Sequence, residues 1–333
     1  MNKKINVILI LAGGIAVVLV CALLSLSFGS RIVPFDQVFD VLTGRDQGSF
    51  VSEVVKARIP RTVFGMLAGG ALGLSGVLMQ SVTRNPIADP SILGVNTGAA
   101  LFVVCGIAFF NINLPQQYIW LALIGGGVTS IFVYALASLG NGGATTIKLA
   151  LSGAAVSIVL SSMVSTVMLP KSRVMEEYRF WQIGSIGGTG WTDILTSAPY
   201  LGIGFLIALV LIPSLNCMAL GDEMAANLGV NTKLVRGLGA LAGVLLCGAT
   251  TAFAGPIGFI GLVVPHFMRL LIGPDLKKIV PMSLIGGACL LLLSDVIGRL
   301  AGSPGELEVG IVTAFVGAPC FLLVVRKAKV SVL

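Results

Sequence analysis

Charge is scarce in this chain. Only 11% of its 333 residues are charged, against about a quarter in soluble domains, while 56% are hydrophobic. That balance excludes an ordinary water-exposed globule. A single histidine, His266, excludes a His-Glu-x-x-His zinc site and any cluster of imidazole ligands. The phosphate-cradling pattern Gly-x-x-x-x-Gly-Lys-Ser/Thr is absent, so the chain does not hold ATP by that loop. Of six cysteines, Cys217 sits in a polar connection and the other five lie inside apolar runs. None has metal-ligand spacing, and no disulfide framework is expected.

The apolar runs also lack ionisable groups at mid-depth. Asp295 and Arg299 fall at the outer end of one run, and His266 and Arg269 near the inner end of another. Ion-coupled carriers place carboxylates or broken-helix ion sites near the membrane midplane, so an ion-coupled secondary transporter is the weaker alternative. An intramembrane enzyme would need catalytic groups at depth that the sequence does not supply. The net charge of +7 comes from basic residues scattered between apolar runs, a topology signal and not a nucleic-acid stripe.

Runs long enough to span a bilayer, about twenty residues each, recur from end to end. Gly, Pro and charge clusters divide them into ten spans at about 5–28, 60–82, 91–110, 117–139, 147–169, 194–213, 235–254, 257–272, 279–300 and 307–325. The eighth is short and punctuated by Pro256 and Pro265. The first is too long for a secretory apolar region and reads as an uncleaved helix. The fold expected is therefore an all-α polytopic membrane protein, a single transmembrane domain over 1–333. With the N-terminus inside, twelve of the 21 basic residues fall on the cytoplasmic side, among them Lys3, Lys4 and Lys329, which places both termini in the cytoplasm. Gly65, Gly69 and Gly73 recur every four residues in the second span, spacing that lets helix backbones approach closely. Trp120, Trp181 and Trp191 are expected to anchor outer interfaces.

One polar connection stands out, SLNCMALGDEMAANLGVNTK at 214–233. It reads as a short surface helix with Asp222 capping its start, Glu223 complementing the dipole and Gly229 stopping it after Leu228. Leu220, Met224 and Leu228 form an apolar stripe at four-residue spacing. Acidic residues and the lack of a basic, aromatic face argue against lipid as its partner and for a cytoplasmic protein.

That stretch resembles the coupling loop of the permeases of iron-siderophore, haem and cobalamin ABC importers, the FecCD-type permeases. Four further blocks carry the resemblance: RIPR at 58–61, NPIADPSILG at 85–94, GPIGFIGLVVPHFMRLLIG at 255–273 and GRLAGSPGELEVGIVTAFVGAPCFLLVV at 298–325. Five blocks in order over nearly the whole chain make a specific signature.

The resemblance implies a multi-pass permease of the cell (cytoplasmic) membrane with no catalysis of its own and no bound cofactor. Two ATP-binding cassette subunits, carrying ATP and magnesium, would sit below a pair of permeases, either two copies or two related chains. An extracytoplasmic binding protein would deliver the iron chelate, with a siderophore ahead of haem and cobalamin. By the same resemblance Leu220, Gly221, Asp222, Glu223, Met224, Leu228 and Gly229 would couple to the ATPase. Arg58, Arg61 and Arg299 would meet carboxylates on the binding protein, and Asn85, Ile87 and Thr146 would narrow the cytoplasmic exit. His266 is part of the family block, and one ligand makes no metal site.

Overall fold

A computed structural model describes residues 7–46, 48–86, 88–110, 112, 115–140 and 145–327. Ile87, Lys3, Lys4 and Lys329 lie outside the described residues. The described chain is helical throughout: α1 (Val7–Ser27), α2 (Phe35–Leu42), α3 (Phe50–Thr83), α4 (Val95–Phe110), α5 (Pro115–Ala137), α6 (Thr146–Met168) and α7 (Ser172–Ile183) form the first part. Then follow α8 (Trp191–Met218), α9 (Asp222–Asn227), α10 (Thr232–Ala254), α11 (Ile260–Ile272), α12 (Leu276–Ala301) and α13 (Val309–Lys327). Seven of these are long and apolar enough to cross a membrane, and α4, α11 and part of α13 are shorter apolar helices. Each expected span has its helix.

Three departures have local causes. Helix α3 begins ten residues before the apolar run because Ser49 Oγ accepts the Ser52 N–H at 3.1 Å, capping a polar extension. Helix α8 runs on to Met218, so Cys217 and the start of the 214–233 connection are helical. The amphipathic α2 and α7 fall in connections that hydropathy leaves unassigned. Of the three tryptophans, Trp120 and Trp191 are exposed, but Trp181 turns inward and donates from Nε1 to Ala252 O at 3.2 Å. The interfacial anchor expected there is thus a part-buried hydrogen bond.

Helix α3 is the axis of the bundle. In its most apolar stretch 83% of residues are buried, against 22% in α1 and in α6, which places those two at the periphery. It packs on α12, α10, α11, α8 and α1. Lipid supplies no hydrophobic drive between helices, so contact depends on how closely backbones meet. A Cβ on Gly69 would lie 2.3 Å from Gly287 O, one on Gly287 would lie 2.1 Å from Gly69 O, and one on Gly73 would lie 2.4 Å from Ser283 O. These contacts seat α12. A Cβ on Gly76 would fall 1.8 Å from Gly261 O, so α11 meets the same helix one turn further on. The Gly65, Gly69 and Gly73 series is a packing seam, as its spacing implies.

Helix α11 has 13 residues, about 20 Å of helix, less than the roughly 30 Å apolar core of a bilayer. The non-helical stretch 255–259 leads into it, with Gly255 and Ile257 buried and Gly258 exposed. Ser185 N–H donates to Ala254 O at 2.7 Å, and a Cβ on Gly255 would sit 2.0 Å from Trp181 O. The Gly-Pro-rich block at 255–273 is therefore a helix break docked on the 181–185 segment.

Gly76→Ala should destabilise the protein by at least about 1–3 kcal/mol, because its methyl would meet backbone and not a movable side chain. Gly127→Ala, whose Cβ meets nothing within 4 Å, should leave the thermal midpoint in detergent unchanged. Equal midpoints for both variants would contradict the seam.

Candidate functional site

The candidate residues collect at the two ends of α3. Near its N-terminal end the sequence places Arg58 and Arg61 on adjacent turns, and Arg299 comes from the last turn of α12. Arg58 is only 9% exposed. Its Nη1 donates to Leu26 O at 2.8 Å and Ser27 O at 3.1 Å, and its Nη2 to Arg31 O at 2.6 Å. It thereby ties the last carbonyls of α1, of which Ser27 O also accepts the Val33 N–H at 2.8 Å, to the loop carbonyl of Arg31.

Arg299 is 1% exposed, bonded to Ser25 O and Ser25 Oγ at 3.0 Å and ion-paired with Asp295 at 2.9 Å. Arg61 holds Asp295 Oδ1 through Nε at 3.2 Å and Nη2 at 2.6 Å, and reaches Glu306 Oε2 through Nη1 at 2.7 Å. The three arginines do converge. They are not, however, three free outward cations: Arg58 and Arg299 are used internally, because buried guanidinium groups need partners. Arg61, with its side chain 14% exposed beside the 38% exposed Glu306, is the arginine at the rim. Three guanidiniums against Asp295 and Glu306 leave one positive charge in excess. Glu306 lies in a block singled out from the sequence, but only the fold brings it 245 positions along the chain to Arg61.

At the other end, α9 lies between α8 and α10. The structure corrects Asp222 as its cap: Gly221, with φ 123°, holds the cap position and Asp222 is the first helical residue. The Asp222 carboxylate instead takes Arg236 Nη2 at 2.7 Å and faces Arg84 Nη2 at 3.6 Å. Leu228 caps the C-terminus, followed by Gly229 at φ 83°, the left-handed conformation expected of a helix stop. Ala225 is buried, while Leu220, Met224 and Leu228 are 66%, 54% and 60% exposed. Glu223 adds a second acidic residue to the first turn. Leu220 precedes the Gly221 cap, where the backbone leaves the helix, so the expected helical stripe is corrected to Met224 on α9 and Leu228 at its C-cap, with Leu220 exposed beside them on a segment tied down behind.

Asn216 closes the same end. Its Nδ2 donates to Asp275 Oδ1 and its Oδ1 accepts the Leu276 N–H, both at 3.0 Å, joining α8 to the start of α12. The Lys277 backbone N–H holds the Asp275 carboxyl below its ordinary range, aided by Asn216.

The 85–94 block follows α3 directly. A Cβ on Gly153 of α6 would lie 1.8 Å from Ile92 O, and one on Gly261 of α11 would lie 2.9 Å from Asp89 Oδ2. The block is therefore wedged between those helices. Asn85 lines a small cavity with Met79, Thr83, Ala88 and Asp89, while Thr146 is the first residue of α6. Burial pushes the Asp89 carboxyl above its ordinary range, against hydrogen bonds from Ser91. His266 is on α11, and among the described residues no group of three His, Cys, Asp or Glu side chains could hold a metal.

Comparison with known proteins matches residues 17–327 to the FecCD transport family. The ferric enterobactin transport system permease protein FepD of Escherichia coli (strain K12) is 39% identical over 315 residues, covering 95% of this chain and 94% of that one. The Fe(3+)-citrate import system permease protein YfmD of Bacillus subtilis (strain 168) is 43% identical over 272 residues, covering 82% and 80%. A solved metal-chelate type ABC transporter in an inward-facing conformation superposes with a TM-score of 0.82 at 28% identity, covering 97% of this chain and all of that one. With its helices, its five sequence blocks and nearly its whole length accounted for, the chain belongs to the FecCD transport family.

Proposed function

We propose that this chain is the membrane permease of a binding-protein-dependent ABC importer, carrying an iron chelate inward while partner subunits bind ATP with magnesium and hydrolyse it. The observation that carries this reading is the set of exposed apolar side chains at α9, Met224 on the helix, Leu228 at its C-cap and Leu220 just before its N-cap, in a chain of this family. A set of that kind on a short polar-flanked helix needs an apolar groove to cover it, and an ATPase subunit supplies one. Ferric enterobactin and Fe(3+)-citrate in the names of the relatives above support an iron chelate as cargo.

In this arrangement the α9 end of α3 is cytoplasmic and the Arg61 end faces outward. A second permease, identical or related, completes the path, and the peripheral α6, with Ile147, Leu151 and Ile158 exposed, has apolar surface for lipid or that partner. The wedged block that Asn85 begins and the start of α6 at Thr146 flank the inner exit, which Asn85 and Thr146 narrow. At the outer end, the excess positive charge and the rim position of Arg61 suit an acidic face on the binding protein, with Arg58 and Arg299 holding the cluster in shape.

Leu228→Asp should abolish iron uptake in whole cells and reduce co-purification of the ATPase, by placing charge in the docking stripe. Normal uptake and recovery would remove the coupling role of α9. At the outer end, Arg61→Gln should weaken docking of the binding protein and flatten its salt dependence, measured as affinity on immobilised permease. Asp295→Ala should instead cost about 3–5 kcal/mol of stability, because Arg299 stays buried with its carboxylate gone. Unchanged docking for the first variant, or an unchanged thermal midpoint for the second, would contradict this division of roles.

A further inference from the structure

Arg84 is the point where the surface helix, the bundle axis and the wedged loop meet. Helix α3 ends at Thr83, and Arg84 follows in the left-handed conformation, φ 52° and ψ 33°, its N–H bonded to Gln80 O. Among the described residues Phe259 is the only other non-glycine with positive φ. Glycine adopts this conformation without the steric cost an L side chain meets, so the backbone alone would favour glycine at 84. Arginine's side chain accounts for its presence. Nε donates to Met218 O, the last residue of α8, at 3.0 Å, and Nη2 bonds the same oxygen. Nη2 also faces Asp222 Oδ1, an oxygen shielded from solvent and without a hydrogen bond, at 3.6 Å. The other Asp222 oxygen is held by Arg236 on α10. The residue after Arg84 is Asn85, which begins the block wedged against Gly153 of α6 and Gly261 of α11.

We infer that Arg84 is a positioning residue that transmits displacement of α9 to α3 and to the 85–94 loop, linking the ATPase-facing helix to the inner exit. This rests on the coupling role given to α9 above. A push on Leu220, Met224 and Leu228 moves Asp222, and through Arg84 that motion reaches the root of the loop and the end of the helix around which the bundle packs. A residue that only ended α3 would need its backbone conformation and not its guanidinium.

Arg84→Gly separates the two roles, because it keeps the left-handed backbone and removes the side chain. The assay is the reconstituted complex with its ATPase and binding protein in proteoliposomes, reading iron delivered per ATP hydrolysed with ferric enterobactin or ferric citrate, whichever the host takes up through this permease. Arg84→Gly is expected to bind the ATPase and hydrolyse ATP as wild type does, but to deliver about fivefold less iron per ATP, the low end of typical coupling between sites. Arg84→Lys, which keeps a cation but not the fork, should recover part of the ratio. A wild-type ratio in Arg84→Gly while Leu228→Asp is uncoupled would overturn the inference and leave the role of α9 intact. Wild-type ratios in both would remove the role of α9 itself. Loss of the ATPase from Arg84→Gly would also overturn the inference, by making Arg84 an assembly contact.

Discussion

The backbone contact along α3 is the constraint on which the rest depends. Between helices in lipid no water is released, so close approach must provide the packing energy, and here Gly69, Gly73 and Gly76 set α12 and α11 nearly backbone to backbone. Helices seated this closely move as a unit, because no layer of rotating side chains lies between them to absorb a displacement. That rigidity makes the 34-residue α3, about 50 Å long, able to relate one end of the molecule to the other.

The chemistry at those ends differs in kind. The Arg61 end is a largely buried charge cluster, in which carbonyls at the end of α1 and the carboxylates of Asp295 and Glu306 partner three guanidiniums, leaving Arg299 Nε without a hydrogen bond. Such a cluster contributes geometry more than stability, since desolvation offsets much of the attraction. The Arg84 end is looser and wetter. Its Arg84, Asp222 and Arg236 side chains are each about a third or more exposed, and ion pairs of this kind are worth about 0–1 kcal/mol. Weak links of this kind suit the displacement proposed for α9, while the glycine seam suits a rigid body.

How much was legible in the sequence follows from what each signal measures. Hydropathy located the ten apolar helices, seven of them long enough to cross, because apolar length is what the bilayer demands, and the four-residue glycine spacing located the seam because helix geometry repeats on that period. The exposed Met224 and Leu228 were legible for the same reason, but Leu220 falls before the Gly221 cap, where helical spacing no longer applies. Hydropathy did not reveal α2 and α7, whose polar faces lower their average. It also missed the inward turn of Trp181, the Arg61 to Glu306 pair across 245 positions and the burial of Arg58 and Arg299, because these depend on which helices become neighbours. The cap of α9 fell at Gly221, whose φ of 123° suits glycine, and Asp222 instead pairs with two arginines distant in sequence, contacts that spacing does not reveal.

The central claim is that the α9 stripe seats in a nucleotide-binding subunit and carries its motion into α3. The most direct test is a photo-crosslinking amino acid at Met224 in the intact permease, irradiated in the host membrane, with the captured chains identified by mass spectrometry. A cross-link to an ATP-binding cassette subunit, absent when the same probe is placed at the buried Ala225, is the result expected. Cross-links to lipid alone, with no nucleotide-binding chain captured in cells that are importing iron, would contradict it.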